Sequence, residues 1–520
     1  MSGGPRTGDR AGTETVLLDD APLTVDQVVA VARHGAVVRF SDGYARRVDA
    51  AADLVTRFLD DRTVVYGVTT GFGDNYTETI APEDALRLQE NIIVSHAVSV
   101  GAPIPEDQVR AILVVMLAHL GAGRSGTRLE TLELIRALLE EHVTPVVPGA
   151  GSLGYLALEA HIALVLTGRG QATVDGDVVS GAEALRRRGL TPVRLRAKEG
   201  LTLLNGIMSI TAVAALVAHD LRRAVRQADV IGALAFESLR GTTRALDPRV
   251  HALRRYPEQA ASARNLVRLL EGSAIAELHR DHRVQDPYLL RALPQLHGSV
   301  RRSFDDAARV VDESLGSVGD NPLLFPEDGD AVMAGNFDGT SVGLAMDAVK
   351  AAAAVLAHHS ERRTDRMVNS TVSELPPFLA STPGLNNGLM IPQYTAAALV
   401  LEMRGEVSPA SVESIPTSAG QEDPVSNAHL AAQQAYRSVD RLQYVLAIEL
   451  LAAAQAADLL EDEVGVSGSP ALRAGRDTVR RLVPTAPVDR EFGRDIEALR
   501  TFLTSDDLVA AAESVTGPLE

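Results

Sequence analysis

Apolar positions at helical spacing run through most of the chain, and the longest runs lie in its second half. "LTVDQVVAVARHG" (23–35) puts apolar residues on one face and predicts a short helix stopped by Gly35. "TVVYGVTTGFGDN" (63–75) reads as a β-branched run, a strand pattern, that breaks into a glycine-rich loop. Helical spacing returns from about Pro82 to Glu141. The Asp-Gly step in "TVDGDVVSGAEAL" (173–185) predicts a small hairpin and then a helix. Beyond about Leu204 come three alanine-rich segments without proline, at 211–240, 341–369 and 427–461. A helix of about 30–35 residues is about 45–50 Å long. Helices this long and apolar need burial on more than one side, and alanine lets them approach closely. The pattern predicts a mainly α protein, with a long central helical bundle and a smaller mixed N-terminal part. Its organisation reads as a polar tail (1–15), a mixed domain (16–203), the bundle (204–461) and short C-terminal helices (462–520).

Composition narrows the function. Lys plus Arg is 50 against 68 for Asp plus Glu in 520 residues, a net charge of −18. That balance offers no basic face for nucleic acid. The absence of cysteine removes disulfides, thiolate metal sites and a cysteine nucleophile, and no metal site is expected. "MSGGPRTGDRAGTE" (1–14) has no apolar core of a signal peptide and reads as a disordered tail. No run is expected to reach the roughly 20 apolar residues of a membrane span. The expectation is a cytoplasmic protein with no membrane partner, and the apolar bundle points to a symmetric homo-oligomer.

The chemistry question centres on "VVPGAGSLGYLALEAHIALVLTGRG" (146–170). Gly149, Gly151 and Gly154 form a nominal G-x-G-x-x-G. A dinucleotide cradle would need a βαβ unit around it, but strands do not alternate with helices elsewhere, and Pro148 sits where a strand should feed the turn. A plain structural turn is the ordinary alternative.

A third reading comes from motifs in order along the chain. They are "YGVTTGFG" (66–73), "NIIVSHAVSVG" (91–101), "GSLG" (151–154), "EGLTLLNG" (199–206), "VQDPYLLRALPQLHG" (284–298), "DNPL" (320–323), "GNFDG" (335–339) and "SVESIPTSAGQEDPVS" (411–426). Together they resemble the aromatic amino acid ammonia-lyase and aminomutase family, which includes histidine, phenylalanine and tyrosine lyases. The resemblance spans about residues 20–500. It implies the ammonia-lyase (fumarase/aspartase-like) helical fold and a homotetramer whose active sites each draw on three subunits. It also implies a methylidene-imidazolone (MIO) electrophile, cyclised from Ala-Ser-Gly or a similar tripeptide between Gly154 and Tyr155. Here Gly154 runs directly into Tyr155, three residues short. A deletion before a helix would turn it by three residues, about 300°, and misplace its apolar face.

The family reaction breaks an unactivated β C–H bond and expels ammonia from an aromatic α-amino acid, which needs an electrophile and a placed base. The resemblance makes Tyr66 the base. A tyrosine, with an ordinary pKa near ~10, must be shifted down to act at neutral pH. It gives Arg291 the substrate carboxylate, a bidentate task that suits a guanidinium. Tyr288, three residues earlier, shares a helical face with Arg291 if this stretch is helical, near the leaving amine. Asn205 is implied to hydrogen-bond the electrophile's carbonyl, Phe337 to pack beside its ring, and Gln285 to bond in the pocket. His96 and Glu422 stand at ring-recognition positions, and a carboxylate facing an imidazole points to a histidine-like substrate. Taken without the family, each of these residues has an ordinary structural reading, such as a loop anchor, a surface arginine or a core side chain. Departures from the family pattern cluster at the pocket: Tyr155 for Asp, Ile207 for Thr, Leu289 for Ser and Pro424 for His. They leave open an aminomutase making a β-amino acid, or a scaffold that has lost the electrophile.

Overall fold

The computed structural model describes residues 14–75, 77, 80–81, 84–154 and 156–520. Most of the expected N-terminal tail and Tyr155 lie outside the described residues. Thr15–Leu18 is a strand, paired parallel with Val37–Phe40. Between the two runs the helix Val25–His34. Thr24 caps it, accepting the Gln27 N–H at 3.2 Å while Gln27 accepts the Thr24 N–H at 3.0 Å. Gly35, at φ 71°, ends it as the sequence predicts.

The chain forms two compact units, each discontinuous in sequence. One comprises residues 1–219, 308–346 and 409–433, the other 220–307, 347–408 and 434–520. Four of the five boundaries fall inside long helices, Met208–Ser238, Leu293–Leu315, Thr340–Val368 and Ala428–Val464; the fifth, at 408/409, lies in a loop. Three of these match the alanine-rich segments of the sequence. The fourth, Leu293–Leu315, carries charged residues from Arg301 onward.

The first unit holds shorter helices, among them Ala85–His96, Glu106–Leu120, Leu129–Glu140, Ala157–Leu166 and Glu199–Leu204. The predicted hairpin is present, Gln171–Val174 against Asp177–Ser180, with Asp175 and Gly176 both at positive φ in the turn. One strand expectation fails. Residues 63–68 form no strand, because the chain turns at Gly67. Val65 and Val68 instead fill a cluster with Leu54, Val55 and Phe58. Their branched side chains serve packing and not a ladder. The second unit holds Pro470–Leu482, Phe492–Phe502 and Asp507–Thr516, the expected short C-terminal helices.

The expectation about apolar length is also corrected. Three helical stretches, Glu199–Ser238, Thr340–Val368 and Ala428–Val464, are long and apolar enough to cross a membrane. Alanine, read as a packing residue in the sequence, supplies much of that apolarity. Within the protein, 100%, 67% and 83% of their respective apolar windows are buried.

Candidate active site

Six of the residues singled out in the sequence, Tyr66, His96, Gly154, Asn205, Phe337 and Glu422, belong to the first unit; Gln285, Tyr288 and Arg291 belong to the second. In the first unit one buried side chain ties three elements together. Gln89, on Ala85–His96, accepts the Leu201 N–H at 3.2 Å and donates to the Gly67 carbonyl at 3.4 Å. It thereby links the Tyr66 loop to Glu199–Leu204, the helix that leads into Asn205. His96 lies seven residues beyond Gln89, two turns along the same face. Close packing fixes the join. A Cβ on Gly200 would lie 2.4 Å from the Gln89 carbonyl oxygen, and one on Gly67 would lie 2.5 Å from the Leu201 side chain.

Tyr66 is half-buried. Its hydroxyl accepts the Gly73 N–H at 2.9 Å, and its ring meets Phe72 edge-on at 6.3 Å. Burial pushes the phenol's pKa up, the Gly73 N–H opposes that, and the Glu422 carboxylate nearby adds to the rise. The net direction is upward, opposite to the shift a base at neutral pH requires, so in the free chain Tyr66 is a phenol. Glu422 is fixed by a bridge to Thr417, whose N–H donates to the Glu422 carbonyl at 2.7 Å. The intervening Ser418, Ala419 and Gly420 all take positive φ, and Ser418 packs against Gly73.

His96 Nδ1 lies 2.7 Å from the Ile92 carbonyl. A carbonyl only accepts, so Nδ1 carries the proton and Nε2 is left as an acceptor. Burial lowers the ring's pKa against the pull of that carbonyl, which keeps it neutral at pH 7.

Asn205 Nδ2 lies 3.1 Å from Asp320 Oδ1 and 3.2 Å from the Asn321 carbonyl. Both amide protons are therefore engaged. The resemblance gives Asn205 a donor role toward the electrophile's carbonyl, and the geometry leaves no proton for it. Behind Asp320 stands Lys198, wholly buried, with Nζ 2.7 Å from Asp320 Oδ2, 2.8 Å from the Ser125 carbonyl and 3.1 Å from Thr202 Oγ1. Gly319 packs against Ile207 and the Asn336 carbonyl, beside half-buried Phe337. Gly339 meets Ile210, Ala428 and Ser426, and Ser426 Oγ in turn lies 2.6 Å from where a Gly154 Cβ would sit. These contacts bring Asn205, the Phe337 loop and Gly154 into one neighbourhood.

That neighbourhood is where the electrophile would form, and the residues present do not fit it. No serine stands between Gly154 and position 155, and no Ala-Ser-Gly or Thr-Ser-Gly occurs anywhere in the chain. The backbone absorbs the short connection at Gly154 (φ 136°) and at Leu156, whose φ of 74° is strained for a leucine. The helix Ala157–Leu166 nonetheless keeps Leu158, Ile162, Ala163, Val165 and Leu166 buried. The expected misplacement of its apolar face does not occur. The exception is Glu159, fully buried, with one oxygen accepting the Ser209 N–H at 2.9 Å and the other without a partner. Burial raises its pKa and so favours the neutral acid.

In the second unit Tyr288–Arg291 is a single helical turn, and the Arg291 guanidinium lies 5.1 Å from the Tyr288 ring centroid. This is the shared face that the spacing predicts. Arg291 Nε is buried with no hydrogen-bond partner, while Tyr288 and Gln285 are exposed. The segment is held by Asp286, which accepts from Thr242 N at 2.6 Å and Thr242 Oγ1 at 2.9 Å.

Residues 23–481 match the model of the family described as aromatic amino acid lyase. The chain belongs to the aromatic amino acid lyase family. It is 46% identical over 503 residues to a histidine ammonia-lyase of Symbiobacterium thermophilum, covering 96% of this chain and 99% of that one. A histidine ammonia-lyase of Gloeobacter violaceus is 44% identical over 513 residues, with 98% and 99% covered. Among solved structures, the histidine ammonia-lyase of Trypanosoma cruzi superposes with a TM-score of 0.90 at 34% identity, covering 96% and 95% of the two chains. A tyrosine aminomutase from Streptomyces globisporus superposes at 0.91 and 35%, covering 97% and 100%. The mainly α, ammonia-lyase fold is thus that of the aromatic amino acid lyases. Sequence reasoning assigned no role to Gln89, Lys198, Asp320 or Glu159. Asp320 and its neighbours stand out as a motif, but nothing in the sequence pairs them with Lys198, 122 residues earlier.

Proposed function

We propose that this protein is an ammonia-lyase acting on an aromatic α-amino acid, and that the preferred ring is histidine-like. The observation that carries the reading is the placement of Tyr66. Its hydroxyl is held by Gly73 N–H beside Glu422, on the frame that also carries His96 and Asn205. His96 Nε2 and the Glu422 carboxylate are both acceptors. They call for a ring that donates, such as an imidazole N–H or a phenol O–H, and a bare phenyl ring would leave them unpaired. In the tetramer that the resemblance implies, whose sites draw on three subunits, Arg291, with its unpartnered Nε, takes the substrate carboxylate, from a different subunit than Tyr66, and Tyr288 covers it. Tyr66 removes the β-proton. The substrate's ammonium group, arriving beside it, supplies the positive charge that lowers the phenol's pKa from its raised value in the free chain. Assembly is a homotetramer, and Gln285 contributes polar contacts to the pocket.

The Gly154–Tyr155 junction favours a second reading, a scaffold that keeps the substrate frame without the electrophile. A turnover assay with L-histidine and L-tyrosine, paired with an intact mass, separates the two. Release of ammonia and an aryl acrylate is expected. A mass about 180 Da above that of the 55.1-kDa chain, an added Ala-Ser-Gly less two waters, would mark the electrophile. No ammonia from either amino acid, with an unaltered mass, would establish the scaffold. A β-amino acid among the products would make the protein an aminomutase.

A further inference from the structure

We infer that the buried Lys198–Asp320 pair is a positioning device that locks the Asn205 amide with its oxygen facing the site, where it accepts from the substrate's ammonium group. The inference rests on the proposed substrate site.

Orientation of an asparagine amide is ordinarily an assignment, because its oxygen and nitrogen look alike. Here the partners decide it. A carboxylate oxygen and a backbone carbonyl are both pure acceptors, so only the NH2 end can face Asp320 and Asn321. The oxygen is left over. No donor among the described residues reaches Asn205 Oδ1, and it is not among the fully buried orphan atoms, so it opens onto accessible space. Asp320 cannot turn away. Its Oδ1 also accepts the Asn321 N–H at 2.7 Å, and its Oδ2 is held by Lys198. Lys198 is equally fixed, since its three ammonium protons meet three acceptors, Asp320, the Ser125 carbonyl and Thr202 Oγ1. A fully satisfied buried network of this kind specifies one geometry. The charged pair therefore acts on the site through a neutral side chain, which presents an acceptor to a cation.

The test compares two ligands that share a ring and a carboxylate and differ in the ammonium group: L-histidine and 3-(imidazol-4-yl)propanoate. Titration calorimetry is done on the full chain in a Tyr66→Phe background, so that L-histidine binds without being consumed. Asn205→Ala is expected to weaken L-histidine about tenfold, the scale of one hydrogen bond to a charged group, and to leave the propanoate within about twofold. The double variant Lys198→Met/Asp320→Leu removes the pair without stranding a buried charge. It is expected to show the same selective loss with an unchanged far-ultraviolet spectrum. Equal weakening of both ligands, or no weakening, in folded protein would overturn the inference and leave the substrate site standing. Binding of neither ligand to the Tyr66→Phe parent, with no turnover by the wild type, would overturn the site reading and this inference with it.

Discussion

At the scale of single residues, Tyr66, the proposed base, shows how far one side chain depends on its surroundings. Its hydroxyl accepts from Gly73, and burial, with Glu422 adding to it, holds its pKa up. Tyr66→Phe removes the oxygen and nothing else, so turnover should fall to background while the protein elutes unchanged in size-exclusion chromatography. Wild-type-like turnover would remove Tyr66 from the role of base. Its position and that of Glu422 are legible in the sequence because each sits in a short, distinctive motif. The role of Asn205 is legible only in part. Its motif marks the residue, but which end of its amide faces outward depends on Asp320 and Asn321, more than a hundred positions away. Gln89 and Lys198 are not legible at all. A polar residue in a helical pattern reads as a solvent face, yet both are wholly buried.

At the scale of elements, the site depends on how tightly Glu199–Leu204 lies against Ala85–His96. Gly200 makes that approach possible, since an added methyl would sit 2.4 Å from the Gln89 carbonyl oxygen and 2.9 Å from its Cα. Backbone atoms cannot step aside as a side-chain tip can. Gly200→Ala should therefore part the two helices and cost about 1–3 kcal/mol of stability, read as a lower urea midpoint. Activity should fall more steeply than stability, because Asn205 moves with the helix; an unchanged midpoint would show that the contact is slack. Long helices were the easiest elements to foresee, since unbroken alanine-rich stretches have few other ways to fold. Leu293–Leu315 is as regular, but its charged residues hide it from a search for apolar runs. The run at 63–68 misleads in the other direction, because its valines pack around a turn.

At the scale of the whole molecule, stability should depend on acidity through a group that has no part in the proposed reaction. His119 is completely buried, with Nε2 3.1 Å from the Ser314 carbonyl, and burial lowers its pKa to about 4. In the unfolded chain the same ring titrates near ~6.5. Between those values the unfolded state binds a proton that the folded state refuses. Stability therefore falls as pH drops from about 6.5 toward 4, by up to about 3 kcal/mol for this residue. His119→Gln, which keeps a donor toward Ser314, should flatten that part of a curve of unfolding free energy against pH. A slope identical to wild type would place the acid sensitivity elsewhere. No pattern in the sequence announces this, nor the two discontinuous units, since both depend on segments meeting from distant parts of the chain.

The Gln89 junction bears on how such a protein can change over generations. One amide answers for the Tyr66 loop, for the helix ending in His96 and for the helix leading to Asn205. A substitution there disturbs all three together, so selection has little room at the centre. His96 at the end of its helix and Glu422 on its own turn, the proposed ring contacts, leave that centre alone. On the proposed reading, a change of ring is an exchange at these two tips that asks nothing of the frame.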